Sequence, residues 1–315
     1  MDVLEIKDLA ETIKQNIGKV IVGKNDVLHK VVVALFAGGH ILMEDMPGTG
    51  KTTLAKSLAK SLEVKFTRAQ FTPDLLPSDL TGINFYSQKE SEFVFRPGPV
   101  FSNILLADEI NRATPRTQSS LLECMEEGQI SVDGVTYRLE QPFLVIATQN
   151  PIEIQGTFPL PEAQLDRFFM RLSMGYPAKE SETDMLSRFI NESPLDSLAP
   201  VASKEQILQA RTAVKKITVS DAVKSYIVDI SNASRSYPGI RLGVSPRGSL
   251  ALMKASQIQA VLLGRDYVTP DDVKAMAVPV LSHRIIGKAA SSLKESRPNS
   301  EIVAELLNAV AVPTE

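Results

Sequence analysis

The stretch HILMEDMPGTGKTTLAKSLAK, residues 40–60, decides how the rest of the chain is read. It starts as a short apolar run, crosses a Pro/Gly turn and continues as a helical pattern. Leu54, Leu58 and Leu62 fall at helical spacing, with Lys56 and Lys60 elsewhere on the wheel. Strand, glycine turn and helix in that order form the layout of a phosphate-binding loop. Gly48 and Gly50 let backbone N–H groups turn toward an anion, and the helix that follows aims its N-terminal dipole at the same place. The candidate nucleotide-contacting positions are Pro47, Gly48, Thr49, Gly50, Lys51, Thr52 and Thr53. Lys51 would meet the β- and γ-phosphates of a nucleotide, and the Thr52 hydroxyl would ligate Mg²⁺. The alternative is a Gly-rich strand–helix turn with a surface lysine. One position departs from the general pattern G-x-x-x-x-G-K-[ST]: Asp45 stands where the first Gly belongs. Its charge repels phosphate, so its carboxylate is expected to turn away and bond to protein.

Composition narrows the possibilities. The chain has 315 residues, 43% hydrophobic and 23% charged, which suits one large or two modest globular domains. A formal net charge of -3 gives no electrostatic footprint for bulk nucleic-acid binding. The longest apolar stretch, VVVALFAGGHILM (31–43), is interrupted by Gly38, Gly39 and His40 and is too short to span a bilayer. No membrane insertion is expected. The opening MDVLEIKDLAETIKQN reads as a charged amphipathic helix rather than a signal peptide. Cys124 is the only cysteine, so no intrachain disulfide forms; that fits a reducing compartment, and a cytoplasmic location is expected. His29, His40 and His283 are scattered without zinc-ligand spacing.

Up to about Tyr176, short β-branched runs alternate with helical patterns, which predicts an α/β domain with a mainly parallel sheet. Five strands are expected: GHILME (39–44), VKFTRAQ (64–70), NILLADE (103–109), FLVIATQ (143–149) and FFMRLSM (168–174). Two insertions interrupt the alternation. Residues 82–101 read as a hairpin, and residues 128–140 as a second one turning at Asp133-Gly134. A turn-rich stretch, NESPLDSLAP (191–200), separates this region from a mostly helical remainder beginning near Ser203. There, Thr269 reads as an N-cap with Pro270 at the first helical position and Asp271 and Asp272 in the first turn.

Four further segments carry chemistry. ILLADEINRA (104–113) is an apolar strand ending in two acids: Asp108 to hold the Mg²⁺ shell and Glu109 to act as general base toward water. Alone, such acids are as readily solvated strand ends. LVIATQNP (144–151) ends a neighbouring strand at Asn150, an amide able to orient the lytic water or touch the γ-phosphate, or else a turn-forming Asn before Pro. EAQLDRFF (162–169) offers Arg167 to stabilise the transferring phosphoryl group, in cis or in a neighbouring subunit; the bland alternative is a surface salt bridge with Asp166 or Glu162. In GVSPRGSL (243–250), Pro246 starts a helix and puts Arg247 in its first turn, where a cation opposes the helix dipole. That local conflict hints at function, unless Arg247 simply reaches back to an acid.

Taken together these segments resemble the AAA+ ATPases and, within them, the MoxR family, from about Ile13 to Ile286. The blocks are GHILMEDMPGTGKT, FTPDLLPSDLTG, FRPGPVFSNILLADEINRATPRTQSSLLECMEEGQISVDGVTY, PFLVIATQNPIEIQGTFPLPEAQLDRF, SPRGSL and RDYVTPDDVKAMA, in that family's order. The resemblance implies an αβα core with a five-stranded parallel sheet over residues 1–195, then an all-helical lid over 196–315. Lys51 and Thr52 match the Walker A pair, Asp108 and Glu109 the Walker B pair, and Asn150 the first sensor. Arg167 matches the arginine finger and Arg247 the second sensor. VIVGKNDV (20–27) matches the segment lining the adenine pocket, which makes Ile21, Val22 and Gly23 candidates. The hairpins match the helix-2 insert and the hairpin before the first sensor. Such proteins usually assemble as homo-hexameric rings with ATP at each interface. They resemble chaperone-type ATPases that mature partner complexes, often with von Willebrand factor A domain proteins.

Three rivals remain. A nucleic-acid motor shares the two insertions, but the Asp133-Gly134 hairpin tip carries no basic residue, Arg138 lying well back from it. A magnesium-chelatase-like ATPase subunit is close in fold. A non-hydrolysing nucleotide switch is disfavoured by the presence of Glu109, Asn150 and Arg167 together.

Overall fold

The computed structural model describes residues 1–151, 156–190, 193–288 and 297–313. The start of the turn-rich stretch at 191 and residues 152–155 of the matched blocks lie outside the described residues. Helix α1 (Val3–Gly18) begins with a reciprocal cap: the Glu5 amide donates to the Asp2 carboxylate at 2.8 Å, and the Asp2 amide to that of Glu5 at 2.7 Å. The core continues through α2 (Asn25–Ala37), β1 (Ile41–Glu44), α3 (Lys51–Ser61), β2 (Phe66–Gln70), α4 (Pro77–Thr81), β3 (Gly82–Ser87) and β4 (Glu92–Pro97). Then come β5 (Ile104–Asp108), α5 (Pro115–Glu127), β6 (Gln129–Val132), β7 (Val135–Arg138), β8 (Leu144–Gln149), α6 (Glu162–Leu165) and β9 (Met170–Leu172).

The five strands expected from sequence form one parallel sheet in the order β2-β5-β8-β1-β9. Central β5 and β8 are buried on both faces from Ile104 to Ala107 and from Leu144 to Ala147, which is why they read as unbroken apolar runs. Alternate side chains divide between two clusters. Ile41, Met43, Leu106 and Ile146 face α1–α3, where Leu54, Leu58 and Leu62 are also buried; Leu42, Leu105, Val145 and Ala147 face α5. Register pairs Gln70 with Asp108 and Glu44 with Gln149, so the carboxyl ends of the strands finish level. Because β1 lies between β8 and β9, the crevice for a ligand opens where β1 meets β8.

The two insertions are antiparallel hairpins, β3–β4 and β6–β7, packed on each other. Asp133 (φ 51) and Gly134 (φ 80) both take the left-handed backbone that a two-residue hairpin turn requires. Phe95 stacks on Tyr137 with centroids 4.2 Å apart, and Asn84 donates to the Asp133 carboxylate at 2.7 Å.

Helix α7 (Lys179–Arg188) leads to α8 (Lys204–Val214), α9 (Asp221–Ser236), α10 (Pro246–Leu262), α11 (Pro270–Leu281) and α12 (Asn299–Ala309). Helix α11 starts at Thr269–Pro270 as read from sequence, its Asp272 carboxylate capping the Thr269 amide and pairing with Arg265. These helices also carry one short antiparallel pair, β10 (Ile240–Leu242) with β11 (Ile286–Gly287). They do not form a separate core. Helices α8 and α10 pack on α2, and α10 also on α1, so Ile207, Ala210, Leu252 and Ala255 join one apolar cluster with Ile13, Val31 and Leu35.

Two histidines serve this packing. His40 Nδ1 accepts from the Val145 amide at 2.9 Å, so its Nε2–H donates to the Met125 carbonyl at 2.9 Å. Burial pushes its pKa down to about 4. His283 contacts the Phe168 carbonyl at 3.0 Å and is also held well below its usual range by burial, with Arg284 adding to the shift. Both are neutral when folded, whereas the unfolded chain binds protons near pH 6.5. Stability therefore falls as pH drops below about 6.5, and His40 alone removes about 2 kcal/mol by pH 5. Chemical denaturation at pH 7 and pH 5 measures this; equal stability at both would contradict the neutral buried pair.

Candidate active site

The phosphate loop runs from the end of β1 into α3. Gly48 (φ 81) and Gly50 (φ 92) adopt backbone that side chains strain against, and no atom would crowd a Cβ at Gly48, so conformation rather than space requires glycine there. Lys51 Nζ donates to the Met46 carbonyl at 2.7 Å and the Asp45 carbonyl at 3.1 Å. Partial burial pushes its pKa down, and the nearby Asp45, Asp108 and Glu109 oppose that shift. The loop from Pro47 to Thr53 borders a cavity of about 400 Å³, faced by Arg68, Asp108, Glu109, Thr148, Gln149 and Asn150.

Asp45 also lines this cavity, but it is 5% exposed and its carboxylate bonds to the segment after β9 rather than to the loop. Oδ1 accepts from Ser173 Oγ at 2.8 Å and the Gly175 amide at 2.9 Å; Oδ2 accepts from the Met174 amide at 2.6 Å. The departure from the general loop pattern is thus a tie between β1 and the segment after β9. Asp45→Gly restores that pattern but strands two amides, and is expected to cost about 2–4 kcal/mol of stability. ATP affinity is expected to stay within tenfold. Denaturant melts and nucleotide titration check both; a larger affinity change at unchanged stability would sink the assignment.

Opposite the loop, three strand tips converge. Asp108 ends β5: Oδ1 accepts from Thr148 Oγ1 at 2.6 Å, and Oδ2 from Arg68 Nη2 at 2.6 Å and Nε at 3.0 Å. Glu109 follows with φ 56, a left-handed turn that swings its side chain off the strand line. Its Oε2 accepts from Gln70 Nε2 at 2.8 Å and Arg112 Nη1 at 2.9 Å, while its amide donates to Thr148 Oγ1 at 2.9 Å. One hydroxyl thus positions both acids. Asn150 lies one residue past β8 on the same cavity. Arg68, Gln70 and Thr148 escaped the sequence reading. Arg68 and Gln70 share one face of β2, but nothing in the sequence says that β5 is its neighbour.

The donor set suits Mg²⁺. Thr52 and Asp108 offer a hydroxyl and a carboxylate on the cavity wall, hard oxygens for an ion that uses few protein ligands and takes the rest from phosphate and water. Among the described residues, no group of three His, Cys, Asp or Glu is placed to hold an ion alone.

Arg167 and Arg247 lie elsewhere. Arg167 Nε is 3.2 Å from Glu126 Oε2, and Arg247 Nη2 pairs with Glu126 Oε1. Both border a second cavity of about 280 Å³ that shares no residue with the first. Asp166 braces this region: its carboxylate accepts from Arg284 Nε at 2.8 Å and from Ser245 Oγ, the N-cap of α10, at 2.9 Å. Ile21, Val22 and Gly23 do not line the cavity over the loop. Ile21 is buried in the core, and Gly23 (φ 71) packs so closely on Ser181 that a Cβ would come within 2.2 Å of its Oγ.

A parallel sheet in this order, with a phosphate loop between its first strand and helix and two acids at a neighbouring strand tip, defines an AAA+-type nucleotide-binding protein with a helical lid. Comparison with known proteins agrees. Residues 40–170 match the model of the ATPase family associated with various cellular activities, and residues 232–306 match the AAA lid domain. The chain is 50% identical over 301 residues to the uncharacterized protein YeaC of Bacillus subtilis, covering 96% of this chain and 94% of that one. It is 38% identical over 304 residues to Chaperone MoxR1 of Mycobacterium tuberculosis, covering 94% and 80%. The crystal structure of a proposed ATPase from Cytophaga hutchinsonii superimposes with a TM-score of 0.91 at 38% identity, covering 99% of this chain and 97% of that one. The chain belongs to the MoxR family of AAA+ ATPases.

Proposed function

We propose that this protein hydrolyses ATP as a subunit of a homo-oligomeric ring, hexameric by resemblance to its family, and uses the turnover to remodel or mature partner protein complexes. Residues 1–195 serve as the nucleotide core and 196–315 as the lid. In this reading the loop amides from Gly48 onward cradle the phosphates, and Lys51 exchanges its two carbonyl partners for phosphate oxygens. Thr52 and Asp108 would hold Mg²⁺, which would supply positive charge against the β- and γ-phosphates. Glu109 takes the proton of the attacking water once its carboxylate is released from Gln70 and Arg112, and Asn150 orients that water.

The observation that carries the ring is the separation of Arg167 and Arg247 from their own phosphate loop, in a cavity with no lining residue in common. Arginines that far from the local nucleotide serve best as contacts to a neighbour's. Mixing tests this. Glu109→Gln and Arg167→Ala subunits are each expected to be inactive alone. A mixed ring places an intact Glu109 opposite an intact Arg167 at some interfaces, so part of the activity returns. No recovery from two well-folded, nucleotide-binding variants would overturn the shared site.

A protein client fits the β3–β4 hairpin, which exposes Ile83, Phe85, Tyr86 and Phe93, the last at 73%. Its Lys89 and Arg96 are matched by Glu90 and Glu92, so it forms no basic track for phosphates. Among the described residues no helix is long and apolar enough to cross a membrane. DNA-stimulated, salt-sensitive turnover would favour the nucleic-acid motor instead. The family's resemblance points to von Willebrand factor A domain proteins as clients, testable by pull-down with Glu109→Gln and ATP.

A further inference from the structure

Glu126 stands in the last turn of α5, and Arg247 in the first turn of α10. Each has the wrong sign for its own helix end, because the C-terminus of a helix is partly negative and the N-terminus partly positive. They compensate one another: Arg247 pairs with Oε1 of Glu126 and Arg167 with Oε2. A third cation, Lys254, borders the same cavity about two turns along α10 from Arg247. Charges of its own sign, Arg211 and Lys215, join burial in pushing its pKa down. The other acid on the cavity wall, Asp166, is already taken by Arg284 and Ser245. Two cations therefore share one carboxylate, itself on a partly exposed side chain, while Lys254 lines the same cavity.

We infer that Glu126 is an internal stand-in for the terminal phosphate of a neighbouring subunit's nucleotide, holding Arg167 and Arg247 until that phosphate arrives. The inference rests on the ring reading above. A terminal phosphate carries more charge than a carboxylate and offers three acceptor oxygens to two guanidinium forks. Partly exposed carboxylate pairs are weak enough to be displaced by it. Glu126 must then withdraw, since a carboxylate left in place would face a phosphate of like charge. Assembly around nucleotide and release of Glu126 become one event.

The test compares Glu126→Gln, Lys254→Gln and Arg167→Ala in the full chain, reading phosphate release against protein concentration at saturating ATP. Glu126→Gln is expected to lower the protein concentration for half-maximal specific activity by about three- to tenfold, since two exposed ion pairs no longer need breaking. Lys254→Gln is expected to raise it, and ATP binding by dilute subunits stays unchanged in both. Adding Arg167→Ala to Glu126→Gln abolishes the gain. If Glu126→Gln gives no shift or loses turnover while Arg167→Ala is inactive, the stand-in role is wrong and the ring reading survives. Full turnover by Arg167→Ala overturns both.

Discussion

Glu109→Gln is expected to bind ATP as the parent chain does and to turn it over at least about 10²-fold more slowly. The amide keeps the size of the carboxylate and an oxygen for the Gln70 and Arg112 donors that hold it at 2.8 and 2.9 Å. The left-handed backbone at φ 56 and the amide bond to Thr148 belong to the main chain and are untouched. What disappears is the basicity needed to take a proton from water. Binding is assigned to the loop from Gly48 to Thr52, whose backbone the substitution leaves unchanged although Glu109 borders the same cavity. Nucleotide titration and a phosphate-release assay on the same preparation separate the two effects. Normal hydrolysis would remove Glu109 from the role of general base and leave the acid a structural partner of Gln70 and Arg112.

Arg167→Ala is expected to lose about 10³-fold in kcat, the range an arginine contact to a transferring phosphoryl group supplies. ATP affinity of the isolated subunit should not change, because Arg167 does not border its own phosphate loop. Little stability is at stake: the pair with Glu126 at 3.2 Å is about one-third exposed on both sides. The split therefore falls between binding, which is kept, and turnover, which is lost. Loss of both together would mean that Arg167 supports the fold, and turnover at the parent rate would end the finger assignment.

Much of this site is legible in the chain. The phosphate loop, the acids at 108 and 109 and the Asp133-Gly134 turn can be read because each is written in consecutive residues. Glycines that need left-handed backbone, an apolar run ending in acids, and Leu54, Leu58 and Leu62 at helical spacing are short-range signals. The positions of five strands along the chain and the outlines of both hairpins follow from the same periodicities, and the structure places all five strands in one parallel sheet. Asp45 shows where that legibility stops. Its sequence context says that a carboxylate should avoid phosphate, but not that its partners wait 128 to 130 residues further on.

Local patterns in the chain set the elements and the residue types at the strand tips, since these depend on local backbone preference and on which face of a strand or helix is apolar. Which side chains meet is set by long-range packing. Sheet order brings β2 beside β5 and so puts Arg68 on Asp108 and Gln70 on Glu109. Lid docking carries Arg247 across 121 residues to Glu126, beside Arg167 and away from the loop. The physical reason is that periodicity fixes the face on which a side chain stands, whereas its neighbour is fixed by strand register and helix packing, which minimise exposed apolar surface over the whole chain.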